Sequence, residues 1–311
     1  TTSSAKKVDS KYVVASLEKG NKTKNIFADN LYKDIINNSS NNSTVFNAVL
    51  QNLVDQKFPV NDDMKEDAAT IIKQIKSAYK SNYGDNYKDS LNQALTSAGY
   101  KNLSEYRQRM IKQIQYANFL LDYIDDHFDD VFNDYYQQCA PKYVSLIKIS
   151  VSDTSSPTDD ETSKLNEVKE LISNTDKSFG DIAQDYSDDS TSSKKGSLGI
   201  VDSKDTSGIA NSYGEDVFNA IEALSEGQVS DVITGNDGYY FVKVTSTDKK
   251  TLKKELKKTD IDSPLLAYDD YLQYVVYNSY KINYKDKDIK KIVQEVVNKA
   301  LEERKTERGE A

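Results

Sequence analysis

The chain has one histidine, one cysteine, no tryptophan and four prolines in 311 residues, and each shortage removes a class of chemistry. A lone cysteine cannot close an intramolecular disulfide, so no disulfide framework holds the fold. Nucleophilic catalysis by serine or cysteine needs a base beside the nucleophile. The only imidazole, His127, and the only thiol, Cys139, fall on one predicted helix. At 1.5 Å per residue they stand about 18 Å apart, too far for a dyad. His127 lies in the run Asp125-Asp126-His127-Phe128-Asp129-Asp130. Zinc asks for three or four ligands, so this histidine reads as a solvated helix-face residue. Cys139 reads as a half-buried small apolar group rather than a reactive thiol.

Long apolar runs are missing too: none approaches the roughly 18 residues that cross a bilayer as a helix. There is no Walker A loop, no dinucleotide fingerprint and no paired-cysteine metal spacing. Gly196-x-x-Gly199 is too short for a phosphate cradle, and Asp185–Asp189 lacks the alternating ligands and distal glutamate of a calcium loop. Neither metal nor cofactor is therefore expected. A net charge of −9 argues against nucleic acid as a partner, because phosphate binding needs a cationic face.

What is present is polar surface and tyrosine. Hydrophobic residues make up 37%, charged residues 29%, and 22 tyrosines supply most of the aromatic area. Tyrosine combines apolar area with a polar tip, which suits a half-wet binding surface. The length suggests about two domains. Thr1 to Ser10 reads as a polar, flexible leader with no signal-peptide pattern.

Tyr12–Leu17 reads as a strand, with a turn at Gly20-Asn21 and a short helix over 28–36. Apolar spacing then predicts helices over 44–58, stopped by Pro59, over 62–79, and over 87–97, stopped by Gly99. Asn102 with Glu105 resembles a capping box. The stripe Tyr106, Met110, Ile114, Ala117, Leu121, Ile124, Phe128, Val131, Tyr135 predicts one long helix ended by Pro141. Its tyrosines Tyr106, Tyr116, Tyr123 and Tyr135 are candidates to line a broad groove. From Tyr143 the pattern switches to short strands, glycines and short helices, including one over 162–172, an α+β signature. After Thr247 helices return: 249–258, then one opened by Ser263-Pro264 and running to Ser279. Ile282–Tyr284 is a candidate short strand, and a last helix spans 286–304.

Within this, certain pieces come in a fixed order. The strand-like Tyr143–Val151 is followed by Phe179–Ser190, with its Tyr186-Ser187-Asp188-Asp189-Ser190 block. Gly196-Ser197-Leu198-Gly199, Gly227-Gln228-Val229-Ser230 and Gly238–Val244 come after it. The order and spacing resemble the parvulin family of peptidyl-prolyl isomerases, and the long flanks resemble the extracytoplasmic foldases built on that domain. The resemblance implies an α+β architecture. Flanks 1–142 and 248–311 would form one helical, chaperone-like domain, and 143–247 an inserted parvulin-like domain with a small antiparallel sheet. It also implies unfolded or newly secreted polypeptides as partners and allows a homodimer. The implied location is the outer face of a Gram-positive-type cell membrane, through a lipid anchor that no cysteine before Thr1 supplies here.

In active parvulins the first and last strands each present a histidine to one pocket. The resemblance places these on Leu146 and Tyr240, so both imidazoles are replaced. The family's third polar position falls on Asp189 and is kept. The pocket for a proline ring would map to Leu198, Ile200, Val217 and Phe218. Three readings follow. One is a foldase or holdase with a weak or silent isomerase domain. The second is a working isomerase in which Asp189 and Tyr240 stand in for the usual network, and the third is a non-catalytic surface interaction protein.

Overall fold

The computed structural model describes residues 6–174 and 176–310 and divides the chain into two compact units, one of 1–120 with 271–311 and one of 121–270. The first unit opens with an antiparallel sheet of β1 (Lys6–Val8), β2 (Lys11–Lys19) and β3 (Lys22–Phe27), followed by α1 (Ala28–Asn37). Thr1–Ala5 of the expected leader lie outside the described residues. Its remainder is ordered, because Lys6–Val8 pairs with Lys11–Val13 around a turn at Asp9 and Ser10.

The rest of the first unit is helical. α2 (Asn42–Lys57), α3 (Asp62–Tyr83), α4 (Tyr87–Ser97) and the start of α5 (Leu103–Asp126) pack with α12 (Leu272–Ser279) and α13 (Lys287–Glu307). The helical stripes read from the sequence supply its core: Phe46, Leu50 and Val54 from α2, Met64, Ala68 and Ile72 from α3, and Val293 and Val297 from α13 are buried. Phe46 stacks on Tyr274 at 5.1 Å and meets Tyr277 edge-on at 5.3 Å.

Three expectations fail locally. The long helix is interrupted at His127 (φ −122°, ψ 29°) and restarts as α6 (Phe128–Cys139), so His127 and Cys139 do not share a helix. The stripe hides the break because its spacing continues across it. Ser263 does cap a start, but only a 3₁₀ turn forms over Pro264–Leu266, and α12 begins at Leu272. Here the Tyr268 carbonyl accepts from Lys204 Nζ at 2.7 Å, and the Tyr268 hydroxyl donates to Asp134 at 2.7 Å. Residues 282–284 form no strand; the Tyr284 hydroxyl sits 2.5 Å from that of Tyr277 and holds the segment as a loop.

The second unit is built on a four-stranded antiparallel sheet in the order β5-β4-β7-β6, from β4 (Lys142–Ser150), β5 (Ser197–Val201), β6 (Ile233–Thr234) and β7 (Gly238–Ser246). Side chains alternate across the sheet. Val144 and Leu146 face α9 (Ile209–Tyr213) and α10 (Glu215–Ala223), while Ile147 and Ile149 face α7 (Asp159–Ser173) and α8 (Phe179–Tyr186). Both faces are covered, which is why β4 reads as a near-continuous apolar run rather than an alternating one. After β7 comes α11 (Lys249–Leu256).

Gly196 is required beside this sheet. Its φ is +76°, and a Cβ there would drive into the Leu146 carbonyl and the Ala183 side chain. Its own carbonyl accepts the Leu146 amide at 2.8 Å. A buried carboxylate pins α6 to the domain: Asp202 accepts from the Tyr135 hydroxyl (2.7 Å), the Thr206 hydroxyl, and the amides of Lys204 (3.0 Å) and Thr206 (3.2 Å). Tyr135 is thus core rather than groove wall, and Cys139 is fully buried rather than half-buried. Tyr106 and Tyr116 fall in the first unit and Tyr123 and Tyr135 in the second.

Candidate functional site

β4 and β7 are neighbours, with Leu146 opposite Val242 and Lys148 opposite Tyr240. Leu146 and Tyr240 are therefore diagonal neighbours, a spacing of about 7–8 Å in an antiparallel pair. Both enter the same buried cluster, with Ile209 and Val217 above them, at 0% and 2% exposure.

The Tyr240 hydroxyl donates to Asp237 Oδ1 at 2.6 Å, and Lys148 Nζ holds the other oxygen at 2.6 Å. The same ammonium stands 5.7 Å from the Tyr240 ring centre. Lys148 and then Tyr240 hold the Asp237 carboxyl below the usual range. Burial first, and Asp237 second, pushes the Tyr240 phenol well above its ordinary value.

Asp189 opens a 3₁₀ turn and accepts from the Thr191 amide (3.0 Å) and hydroxyl (2.6 Å). It also takes the Tyr213 hydroxyl at 3.1 Å. Tyr213 meets Tyr240 edge-on, with ring centres 6.1 Å apart. Burial, then Asp189, pushes its phenol up to about 12. Asp189, Tyr213, Tyr240, Asp237 and Lys148 thus form one connected row, and in it both phenols already donate to carboxylates.

The row borders a cleft of about 650 Å³, whose walls include Tyr213, Tyr240, Asp237, Val217 and Ile233. The four residues mapped to the proline pocket separate. Val217 is buried and floors this cleft, and Phe218 is half-buried against the core behind it. Leu198 packs on the same core but opens, with Ile200, onto a second groove of about 540 Å³ shared with Tyr143, Leu256 and Pro264. Among the described residues no group of three or more His, Cys, Asp or Glu could hold a metal ion.

Sequence reasoning missed Lys148, Ile209, Tyr213 and Asp237. Lys148 was within reach, since it lies two residues beyond Leu146 and must share its face. Asp237 precedes the Gly238 that opens β7. Tyr213 carried no signal, because its helix has five residues and is bracketed by glycines.

The second unit is thus an antiparallel sheet covered by helices on both faces, with a cleft beside Tyr240 on its last long strand. Residues 146–246 match the family described as Rotamase, the PPIC-type PPIase domain, so this segment is similar to parvulin-type domains. The chain is similar, in particular, to the foldase protein PrsA. It is 31% identical over 141 residues to PrsA of Staphylococcus aureus, covering 43% of this chain and 41% of that protein. It is 30% identical to PrsA of Staphylococcus epidermidis over the same length and the same shares. The match thus spans about two fifths of the length of these relatives. Among solved structures, PrsA from Bacillus subtilis is 22% identical, covering 91% of this chain and 98% of that one, with a TM-score of 0.40. PrsA from Streptococcus pneumoniae is 20% identical, with coverages of 90% and 99% and a TM-score of 0.40.

Proposed function

We propose that the chain is an extracytoplasmic foldase of the parvulin family that holds unfolded, newly secreted polypeptides, while its isomerase-type domain turns X-Pro bonds weakly or not at all. In this reading the flanks 1–142 and 248–311 make the holding domain and 143–247 the isomerase-type insert. A location on the outer face of a Gram-positive-type cell membrane, through a lipid anchor, belongs to the same reading, supported by the similarity to staphylococcal PrsA. Protease shaving of intact cells tests it: a protected protein would contradict it.

One observation supports the catalytic half: neither histidine position of the family offers an uncommitted donor here, since Leu146 has none and the Tyr240 hydroxyl is bonded to Asp237. An X-Pro amide rotates over roughly 18–20 kcal/mol, so a catalyst must grip the twisted amide better than the planar one. Leu146 has no polar atom, and the hydroxyls of Tyr213 and Tyr240 already bond to Asp189 and Asp237. Turning either toward an amide oxygen breaks a bond to a charged group worth roughly 1.5–3 kcal/mol. Losing one preorganised donor costs about 10²–10³ in rate in well-studied enzymes.

The reading in which Asp189 and Tyr240 run a working isomerase is favoured by the two hydroxyls that border the cleft. Two assays on the full chain separate these readings: suppression of aggregation of an unfolded client, and isomerisation of short Xaa-Pro peptides. Suppression without family-like turnover supports the proposal, and family-like turnover overturns its catalytic half. A stable complex with one folded partner, with no effect on clients, would point to a non-catalytic interaction protein instead.

A further inference from the structure

The N-terminal sheet sorts its side chains into two unlike faces. Val13 pairs with Phe27 and Ala15 with Ile26, so a bulge at Val14 separates the two pairs. Opposite residues share a face, and neighbours along a strand alternate. One face therefore carries Val13 and Phe27, the only positions of the three strands that are not exposed. The other carries Tyr12 with Lys7, Leu17 with Lys24, Ile26 with Ala15, and Lys19 with Lys22. Two ring contacts agree with this division. Lys7 Nζ stands 4.7 Å over Tyr12 on the bare face, and Lys11 Nζ 5.8 Å over Phe27 on the other.

The bare face is apolar and cationic at once. Tyr12, Leu17 and Ile26 are 50%, 62% and 43% exposed. Four lysines accompany them, and both acids of residues 6–27 lie elsewhere: Glu18 faces the other way with Thr23, and Asp9 sits in the turn between β1 and β2. Among the described residues none of these four ammoniums is paired with a carboxylate. Lys19 and Lys22 stand directly opposite each other, and like charges so placed destabilise a sheet. An anion laid across the pair removes that penalty.

The two properties together select the partner. A soluble polyanion would satisfy the lysines and leave Leu17 and Ile26 in water. An uncharged apolar surface would do the reverse. An anionic lipid surface answers both, with phosphates for the ammoniums and the acyl boundary for the apolar side chains. Tyrosine sits well at headgroup level, and lysine stems lie along apolar surface while their heads reach the phosphates.

We infer that the face of β1–β3 bearing Tyr12, Leu17, Ile26 and the four lysines docks on anionic lipid headgroups through the polypeptide alone. The contact goes beyond the location proposed above, because it needs no acyl anchor, and it is independent of whether the cleft at Tyr213 and Tyr240 catalyses. The sheet has a fixed root: α1, which follows β3, is tied by the Tyr32 hydroxyl to Asp286 and by Asn41 Nδ2, which donates to the Ile35 carbonyl at 3.1 Å.

Co-sedimentation of the full chain, carrying no lipid, with vesicles of equal parts phosphatidylglycerol and phosphatidylcholine tests the inference. The expected result is saturable binding that weakens as salt rises from 50 to 500 mM, and at least about tenfold weaker binding to phosphatidylcholine alone. Each lysine near an anionic surface is worth roughly fivefold in affinity, so Lys22→Gln/Lys24→Gln should bind about 25-fold more weakly. Both lysines are exposed, and an unchanged thermal unfolding curve confirms that the variant keeps its fold. The chain has no tryptophan, so Leu17→Trp gives a single probe whose emission should shift to the blue on the mixed vesicles. No binding, equal binding to phosphatidylcholine alone, a lysine variant that binds like the parent, or an unshifted probe overturns the inference. So does full displacement by soluble polyphosphate, which would make the ligand a loose polyanion, or by an unfolded apolar peptide, which would give the face to clients. Failure here leaves the cell-surface location untouched, since protease shaving reads that separately.

Discussion

Returning the two imidazoles should return catalysis, and the structure sets both the gain and the cost. In Leu146→His/Tyr240→His the two rings start from diagonal positions on adjacent strands, about 7–8 Å apart, which long side chains can bridge. The expected gain is about 10²–10³ in kcat/KM on a short Xaa-Pro peptide, the value of a preorganised donor. The cost comes at Leu146, which is fully buried among Val144, Val201, Ile221 and Val242. Removing its side chain forfeits roughly 1.5–3 kcal/mol of burial, and an imidazole without a partner there adds about 1–3 kcal/mol. Tyr240→His also releases Asp237 and Lys148 to pair with each other alone. The variant should therefore unfold earlier while working faster, an opposition that a merely structural effect does not produce. Line-shape or exchange NMR on the peptide reads the rate, and thermal unfolding reads the cost. A folded double variant with no gain over the parent would refute the argument that missing donors limit this pocket.

Other outcomes follow from the same geometry. Asp202→Ala strands the buried Tyr135 hydroxyl and two amides, and should cost about 3 kcal/mol. Adding Tyr135→Phe to it should cost less than the sum of the two singles, read as a double-mutant cycle by denaturant unfolding. Peptide binding in the cleft should be flat from about pH 6 to 9, because Asp237 ionises below the usual carboxylate range and Tyr213 near 12. An imidazole would step near pH 6.5, so a step there in titration calorimetry would contradict the site. The raised tyrosines favour the protonated fold, so their stabilisation is full below pH 10 and is lost as pH rises toward 12. The lowered Asp237 stabilises above about pH 3.8 and loses its contribution as pH falls below that. Unfolding followed at both extremes checks the two signs.

How much of this was legible depends on whether the signal was local. β4 and β7 stood out because burial on both faces makes them apolar throughout. α2, α3 and α13 stood out because one face of each is core. The break at His127 was hidden, since Ile124, Phe128 and Val131 keep helical spacing across it. The helix expected from Pro264 gave way at Tyr268, whose carbonyl and hydroxyl are claimed by Lys204 and Asp134, residues 64 and 134 positions away. No window of sequence contains such partners. At the site, Leu146, Asp189 and Tyr240 followed from the order of the pieces. Tyr213, which joins the last two, became visible only once α9 was folded over the sheet. The first strand was taken for leader because its two faces are polar or uncovered within one chain.

The most direct measurement is two-dimensional exchange NMR on a labelled Xaa-Pro peptide titrated with the unmodified full chain. The account predicts saturable shifts, with the resonances of Tyr213 and Tyr240 moving. It also predicts cis–trans exchange at least 100-fold slower than in the Leu146→His/Tyr240→His variant. Fast exchange in the unmodified chain, at the variant's rate or above, would contradict it.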